Sequence, residues 1–192
     1  MLTSILNRFM GPLQYDGDMP VRPRSGLASL HREAVVPYAI EDTFAFFSDA
    51  RNLDRLTPSW VGFRILTPGD IPMGTGARID YSIRIHGIAV SWRTVIARWD
   101  PPRGFIDVQL KGPYRWWHHE HRFEACDGGT RVIDHVEYLA PCAWLTHPLM
   151  VSRDVAAIFD YRAQALPKEL AASAHARGRA AGTQPAPVTR PS

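Results

Sequence analysis

Cysteine is scarce: Cys126 and Cys142 are the two in 192 residues, and neither belongs to a CxxC pair. That excludes a disulfide scaffold and a zinc finger, both of which need clustered ligands or bridges. It fits a reducing compartment, so a cytoplasmic location is expected. Excess charge is also small. The formal net charge is +3, and Arg177, Arg179 and Arg190 fall in a stretch with little to bury. No nucleic-acid partner is expected from so weak a balance. No apolar run approaches the roughly 20 residues of a membrane-spanning helix. The opening MLTSILNRFMGPL is interrupted by Asn7, Arg8 and Gly11 and lacks the basic start and continuous apolar core of a secretory signal. A short surface helix there leaves room for transient membrane contact. Gly74-Thr75-Gly76 lacks the third glycine and following helix of a dinucleotide fingerprint, and there is no GxSxG elbow.

Apolar residues are 45% and charged residues 21% of the chain, the mixture of a globular unit with a full core. The length suits one domain. Residues 1–27 hold Gly11, Pro12, Gly17, Pro20, Pro23 and Gly26 and read as an irregular arm. Residues 173–192 are rich in Ala, Gly, Pro, Thr and Arg and read as a disordered tail. The folded unit is expected over 28–172.

Within it, SLHREAVV (29–36) reads as a strand ended by Pro37. Glu41 and Asp42 suit the positive end of a helix, whose buried side is Phe44, Phe47, Leu53 and Leu56. A break near Ser48-Asp49 makes two short helices, stopped by Pro58. WVGFRIL (60–66) reads as the next strand. ARIDYSIRIH (77–86) alternates, with Ile79, Tyr81, Ile83 and Ile85 on one face. A two-residue turn at His86-Gly87 would pair Ile83 with Val90, Tyr81 with Trp92 and Ile79 with Thr94. FIDVQL (105–110) is another strand. Its inward face is open: hydrophobicity favours Ile106, Val108 and Leu110, whereas Asp107 and Gln109 facing in would make polar anchors. WWHHEHRFE (116–124) and RVIDHVEYL (131–139) form a hairpin. A Gly128-Gly129 turn would pair Phe123 with Asp134, His121 with Val136 and His119 with Tyr138. Inward residues are then Trp117, His119, His121, Phe123, Val132, Asp134, Val136 and Tyr138, leaving Trp116, His118 and His135 outside. A helix starts near Pro148, burying Val151, Val155, Ile158, Phe159, Arg162 and Leu166, and Pro167 should kink or end it.

The order is strand, two short helices, six strands, long helix. A seven-stranded antiparallel sheet curled around one helix is an α+β architecture whose interior one helix cannot fill.

On VPYAIEDTFAFFSDARNLDRLTP (36–58), WRTVIARWDPPRGFIDVQLKGPYRWWHHEHRFE (92–124), GGTRVIDHVEYLAP (128–141) and IFDYR (158–162), the sequence resembles the SRPBCC, or START-like (Bet v 1-type), superfamily. It is similar in particular to bacterial ligand-binding members. The resemblance implies a helix-grip fold with a deep hydrophobic cavity, and no single activity: lipid carriers, hormone receptors, quinone-binding proteins and aromatase/cyclases share it. Pro141-Cys142-Ala143-Trp144-Leu145 departs from the glycines expected before the last helix, which bears on the cavity mouth.

Candidate ligand-binding residues are Tyr81, Trp92, Gln109, Tyr114, Trp117, His119, His121, Asp134 and Tyr138. The aromatic ones can line a cavity or simply pack on the long helix. His119 and His121, two apart on a strand, point the same way as Asp134. They could hydrogen-bond as core polar groups, orient a ligand, share a metal as a two-histidine, one-carboxylate set, or serve as acid and base in a cyclase-like or hydrolase-like enzyme. Binding without catalysis of a lipid, isoprenoid quinone or polyketide-like aromatic is the expected function, with no resident metal or cofactor. An interaction module with a vestigial cavity is the remaining alternative. The sequence does not fix an oligomeric state.

Overall fold

The computed structural model describes residues 15, 16, 19–140 and 148–182. The expected N-terminal surface helix, the 141–145 segment with Cys142, and residues 183–192 of the expected tail lie outside these. A two-residue ladder, Tyr15–Asp16 with Met19–Pro20, precedes the main body.

The main elements are β1 (Ala28–Val36), α1 (Ile40–Phe47), α2 (Asn52–Arg55), β2 (Arg64–Ile65), β3 (Arg78–Ile85), β4 (Ile88–Asp100), β5 (Gly104–Lys111), β6 (Trp116–Cys126), β7 (Gly129–Leu139) and α3 (Pro148–Gly182). One seven-stranded antiparallel sheet runs in the order β1-β7-β6-β5-β4-β3-β2. Register shifts between Arg93 and Thr94 and between Ile96 and Arg98 bulge β4, which bends a strand and strengthens its twist. The apolar stripe of α3, Val155, Phe159, Leu166 and Leu170, is buried. Its later half joins Phe44, Phe46 and Phe47 of α1 in one cluster, and its earlier half joins Val136 and Tyr138 of β7. This is the expected helix-grip α+β fold.

The β3–β4 hairpin has the expected register, Ile83 opposite Val90, Tyr81 opposite Trp92 and Ile79 opposite Thr94. His86 and Gly87 both take positive φ, 49° and 83°, as a primed two-residue turn demands. Asparagine tolerates that conformation better than histidine. His86→Asn is therefore expected to raise the unfolding free energy by about 0.5 kcal/mol in urea titrations. Its exposed contact to Asp154, 3.0 Å, contributes little. A variant less stable than wild type would show that the contact outweighs the turn.

Several expectations are corrected. Only Arg64–Ile65 of the 60–66 stretch is strand, because Ser59–Val61 forms a 3-10 turn that Gly62 ends at φ 53°. The β6–β7 turn is Asp127-Gly128, so Phe123 faces Val132, His121 faces Asp134 and His119 faces Val136. The register moves while every side chain keeps its face, since each strand shifts by one residue in opposite senses. On β5 the inward residues are Phe105, Asp107 and Gln109, opposite Trp99, Ile96 and Thr94 of β4. Val95, Val108, Trp116 and Ile133 are nevertheless buried on the outer face. The segment before β1 is tied to that face by Arg22, whose guanidinium donates to Glu137 at 2.7 and 2.8 Å. His118, expected to be solvated there, is half-buried and stacks on Trp116, and burial lowers its pKa. Pro167, expected to kink or end the last helix, does not end α3, which continues to Gly182. Arg177 in that extension lies 3.7 Å from Asp42 of α1.

Candidate functional site

Three adjacent strands bring two histidines and two carboxylates together. Asp107 on β5 sits opposite His119 on β6, and His121 sits opposite Asp134 on β7. The two imidazoles, held at i and i+2 on one face of a strand, have centroids 3.7 Å apart. A carboxylate lies on either side of them. Asp107 Oδ2 is 3.1 Å from His121 Nε2 and 3.4 Å from His119 Nδ1. Asp134 Oδ1 is 2.9 Å from His119 Nε2 and 3.1 Å from His121 Nδ1. That last distance is short, yet the angle is wrong for a hydrogen bond, and His121 Nδ1 is buried without one among the described residues. Thr94 on β4 donates to Asp107 Oδ1 at 3.2 Å. Arg162 of α3 lies behind Asp134, with Nε 3.8 Å from Oδ2, and its guanidinium is set over the rings of Phe47 and Phe159. Phe105 stacks on His121 at 4.1 Å.

Burial and pairing compete at every member. Burial raises the Asp107 pKa, but hydrogen bonds from His119 and His121 outweigh it and hold the carboxyl below its ordinary range. Burial likewise opposes ionisation of Asp134, and the charge of Arg162 with the same two histidines reverses it. For His119 burial favours the neutral ring, but both carboxylates together raise its pKa. His121 shifts down, through burial and the neighbouring charge of His119. Each carboxylate thus has cationic or N–H partners within reach, the condition under which buried charges survive away from water.

This cluster forms part of the wall of a cavity of ≈ 990 Å³. Of the candidate residues, Tyr81, Trp92, Tyr114, Trp117, His119 and His121 line it. Tyr81 stacks on Trp92 at 5.5 Å, and Trp92 meets Trp117 edge-on at 5.2 Å. Burial pushes the Tyr81 and Tyr114 hydroxyls up, so both stay protonated donors. Trp92 Nε1 is buried with no hydrogen bond among the described residues. At the rim, Trp60 and Met150 expose more than half of their surface, and His86 meets Asp154 of α3.

Three expected residues do not reach the cavity. Gln109 faces inward but is spent on the following turn, its amide donating to the Tyr114 carbonyl at 2.6 Å. Tyr138 packs against Tyr114 and Trp117 from behind. Asp134 stands behind the histidines. Asp107, left open in the sequence, lines the cavity, as do Thr94, Phe105 and Arg162. An arginine on the apolar stripe of α3 was the available signal for the last, because a buried guanidinium needs a carboxylate nearby.

A curved sheet gripping one long helix around a cavity defines the helix-grip class. Residues 36–157 match the model of the family described as "Polyketide cyclase / dehydrase and lipid transport", and the chain belongs to that family, within the SRPBCC superfamily. No curated protein matches the sequence. Solved structures with the same fold include protein TTHA0849 from Thermus thermophilus, 15% identical with a TM-score of 0.61 over 77% of this chain and 98% of that one. The Zhui aromatase/cyclase from Streptomyces sp. R1128 is 17% identical, with a TM-score of 0.58 over 81% of this chain and 98% of that one. A nucleoside-diphosphate sugar epimerase from Corynebacterium glutamicum is 22% identical, with a TM-score of 0.54 over 72% of this chain and 28% of that one. Among the described residues no helix is long and apolar enough to cross a membrane.

Proposed function

We propose that the chain binds and carries an apolar, ring-bearing or polyprenyl small molecule whose polar end meets the histidine–aspartate wall. The observation that carries this reading is the ≈ 990 Å³ cavity with aromatic walls and one polar cluster. Sites of this kind gain affinity from apolar burial and orientation from a few polar groups. At roughly 25 cal/mol per Å², burying about 300 Å² of apolar ligand surface contributes roughly 7 kcal/mol before the cost of association. Lipids, isoprenoid quinones and polyketide-like aromatics share this chemistry, and the family description names both lipid transport and polyketide cyclases.

Native mass spectrometry of freshly purified protein is expected to show a lipid-sized adduct. A thermal-shift panel of a long-chain fatty acid, a short-chain ubiquinone analogue and a flat polyphenol should contain at least one saturable stabiliser. An adduct-free protein that no member of the panel stabilises would end this reading.

A further inference from the structure

The cluster has a geometry that hydrogen bonding alone does not account for. Asp107, His119 and His121 can each offer one ligand atom, and these three atoms lie within 4.8 Å of one another. The carboxylate oxygen is 3.1 Å from one nitrogen and 3.4 Å from the other. A cation with bonds of about 2.1 Å holds neighbouring donors about 3.0 Å apart in an octahedron and about 3.4 Å apart in a tetrahedron. All three residues line the cavity, and all three come from the central strands of the sheet.

The other nitrogens fit the same assignment. Metal-bound imidazoles characteristically give their second N–H to a carboxylate, which fixes tautomer and ring plane. Here the far nitrogens, His119 Nε2 and His121 Nδ1, converge on one oxygen of Asp134 at 2.9 and 3.1 Å. If Nε2 of His121 is a ligand, its proton must sit on Nδ1, the buried atom 3.1 Å from Asp134 Oδ1. Arg162 balances Asp134 from behind, and Thr94 holds the free oxygen of Asp107. With neutral imidazoles, two carboxylates against one guanidinium leave one negative charge beside the three donors.

We propose that Asp107, His119 and His121 form a facial three-ligand site for a divalent first-row transition ion, with Asp134 orienting both imidazoles. The remaining coordination positions face the cavity. The consequence for the ligand rests on the cavity reading above: a guest ending in a ketone, enolate or phenolate oxygen would bind the ion directly. Metal binding itself does not depend on that reading.

The test is titration of chelator-treated full-length protein with Co²⁺, followed by Zn²⁺ competition. The expected result is one Co²⁺ per chain with visible d–d bands of nitrogen and oxygen ligation, displaced by Zn²⁺. X-ray absorption of the Zn²⁺ form should show two imidazoles in the first shell. Asp134→Asn should weaken binding by about 10–100-fold, and His119→Gln with His121→Gln should abolish it. His31 and His135, an outer-face pair with ring centroids 6.3 Å apart, are the obvious competing site. His31→Gln with His135→Gln should leave binding unchanged. Absence of saturable Co²⁺ binding, a first shell without two imidazoles, or loss of binding in the His31/His135 variant would overturn the proposal. If the interior double variant does not fold, the absorption spectrum of the wild-type chain decides. An apolar fluorescent probe titrated into the chelated protein reports the cavity separately, so failure of either idea is visible without the other.

Discussion

Asp134→Ala is expected to lower the unfolding free energy by about 3–5 kcal/mol, the cost of leaving a buried partner charge without compensation. For a chain of this size that corresponds to a fall in Tm of about 6–20 °C. Asp134 is 7% exposed and faces Arg162, also 7% exposed, while accepting from His119. Its removal leaves a guanidinium between Phe47 and Phe159 with no nearby anion from β7, and an imidazole N–H with no acceptor. Asp134→Asn should cost less, because the amide oxygen can still accept from His119 Nε2. The contrast is Asp160→Ala. Asp160 pairs with Arg32 at 2.7 Å, but its side chain is 52% exposed, and such pairs contribute about 0–1 kcal/mol. Urea titrations of the three variants give the comparison. If Asp134→Ala lies within about 1 kcal/mol of wild type, the cluster is not the buried charge set described.

Gly104→Ala is expected to cost about 3 kcal/mol or more, from a disfavoured backbone and a direct clash. Gly104 has φ 154°, and a Cβ there would run into the His121 carbonyl on the neighbouring strand. Relief requires β5 to move away from β6. That movement would carry Phe105 off His121 and Asp107 off His119, so near-ultraviolet dichroism should change along with stability. Gly74→Ala is the matched control. A Cβ at Gly74 meets nothing within 4 Å, and the variant should stay within about 0.5 kcal/mol of wild type. Equal stability of the two variants would show that the sheet absorbs the extra methyl at Gly104.

Alternation carried most of what could be read from the sequence. Ile79, Tyr81, Ile83 and Ile85 set the face of β3, and the glycine at 87 set the hairpin register. The inward set on β6 and β7 survived a wrong turn position, because a turn moved by one residue slides both strands without rotating either. The same reasoning failed on β5. Val108 on its outer face is buried beside Val95, so hydrophobicity is spent on both faces and no longer selects one. Asp107 stayed undecided for that reason, and with it one of the cluster's two carboxylates. Arg162 was placed on the buried stripe of α3, but its partner on β7 is a long-range contact that helical spacing does not report. The continuation of α3 past residue 172 rests on alanines, which favour a helix without marking a buried face.

The order of strands has a kinetic consequence. Asp107, His119, His121 and Asp134 lie on β5, β6 and β7, which are consecutive and joined by short turns. Strand β1 pairs with β7, and their partners are up to 110 residues apart, as in Ala28 with Tyr138. Closing a loop of that length costs entropy that must be met before its contacts return anything, so such pairings form late. The polar cluster is therefore expected to assemble on a local three-stranded meander while the chain is still open. The first strand and the long helix then shut it away from water, and the strand carboxylates are desolvated only after they have met the histidines, with Arg162 arriving on the helix that closes over them.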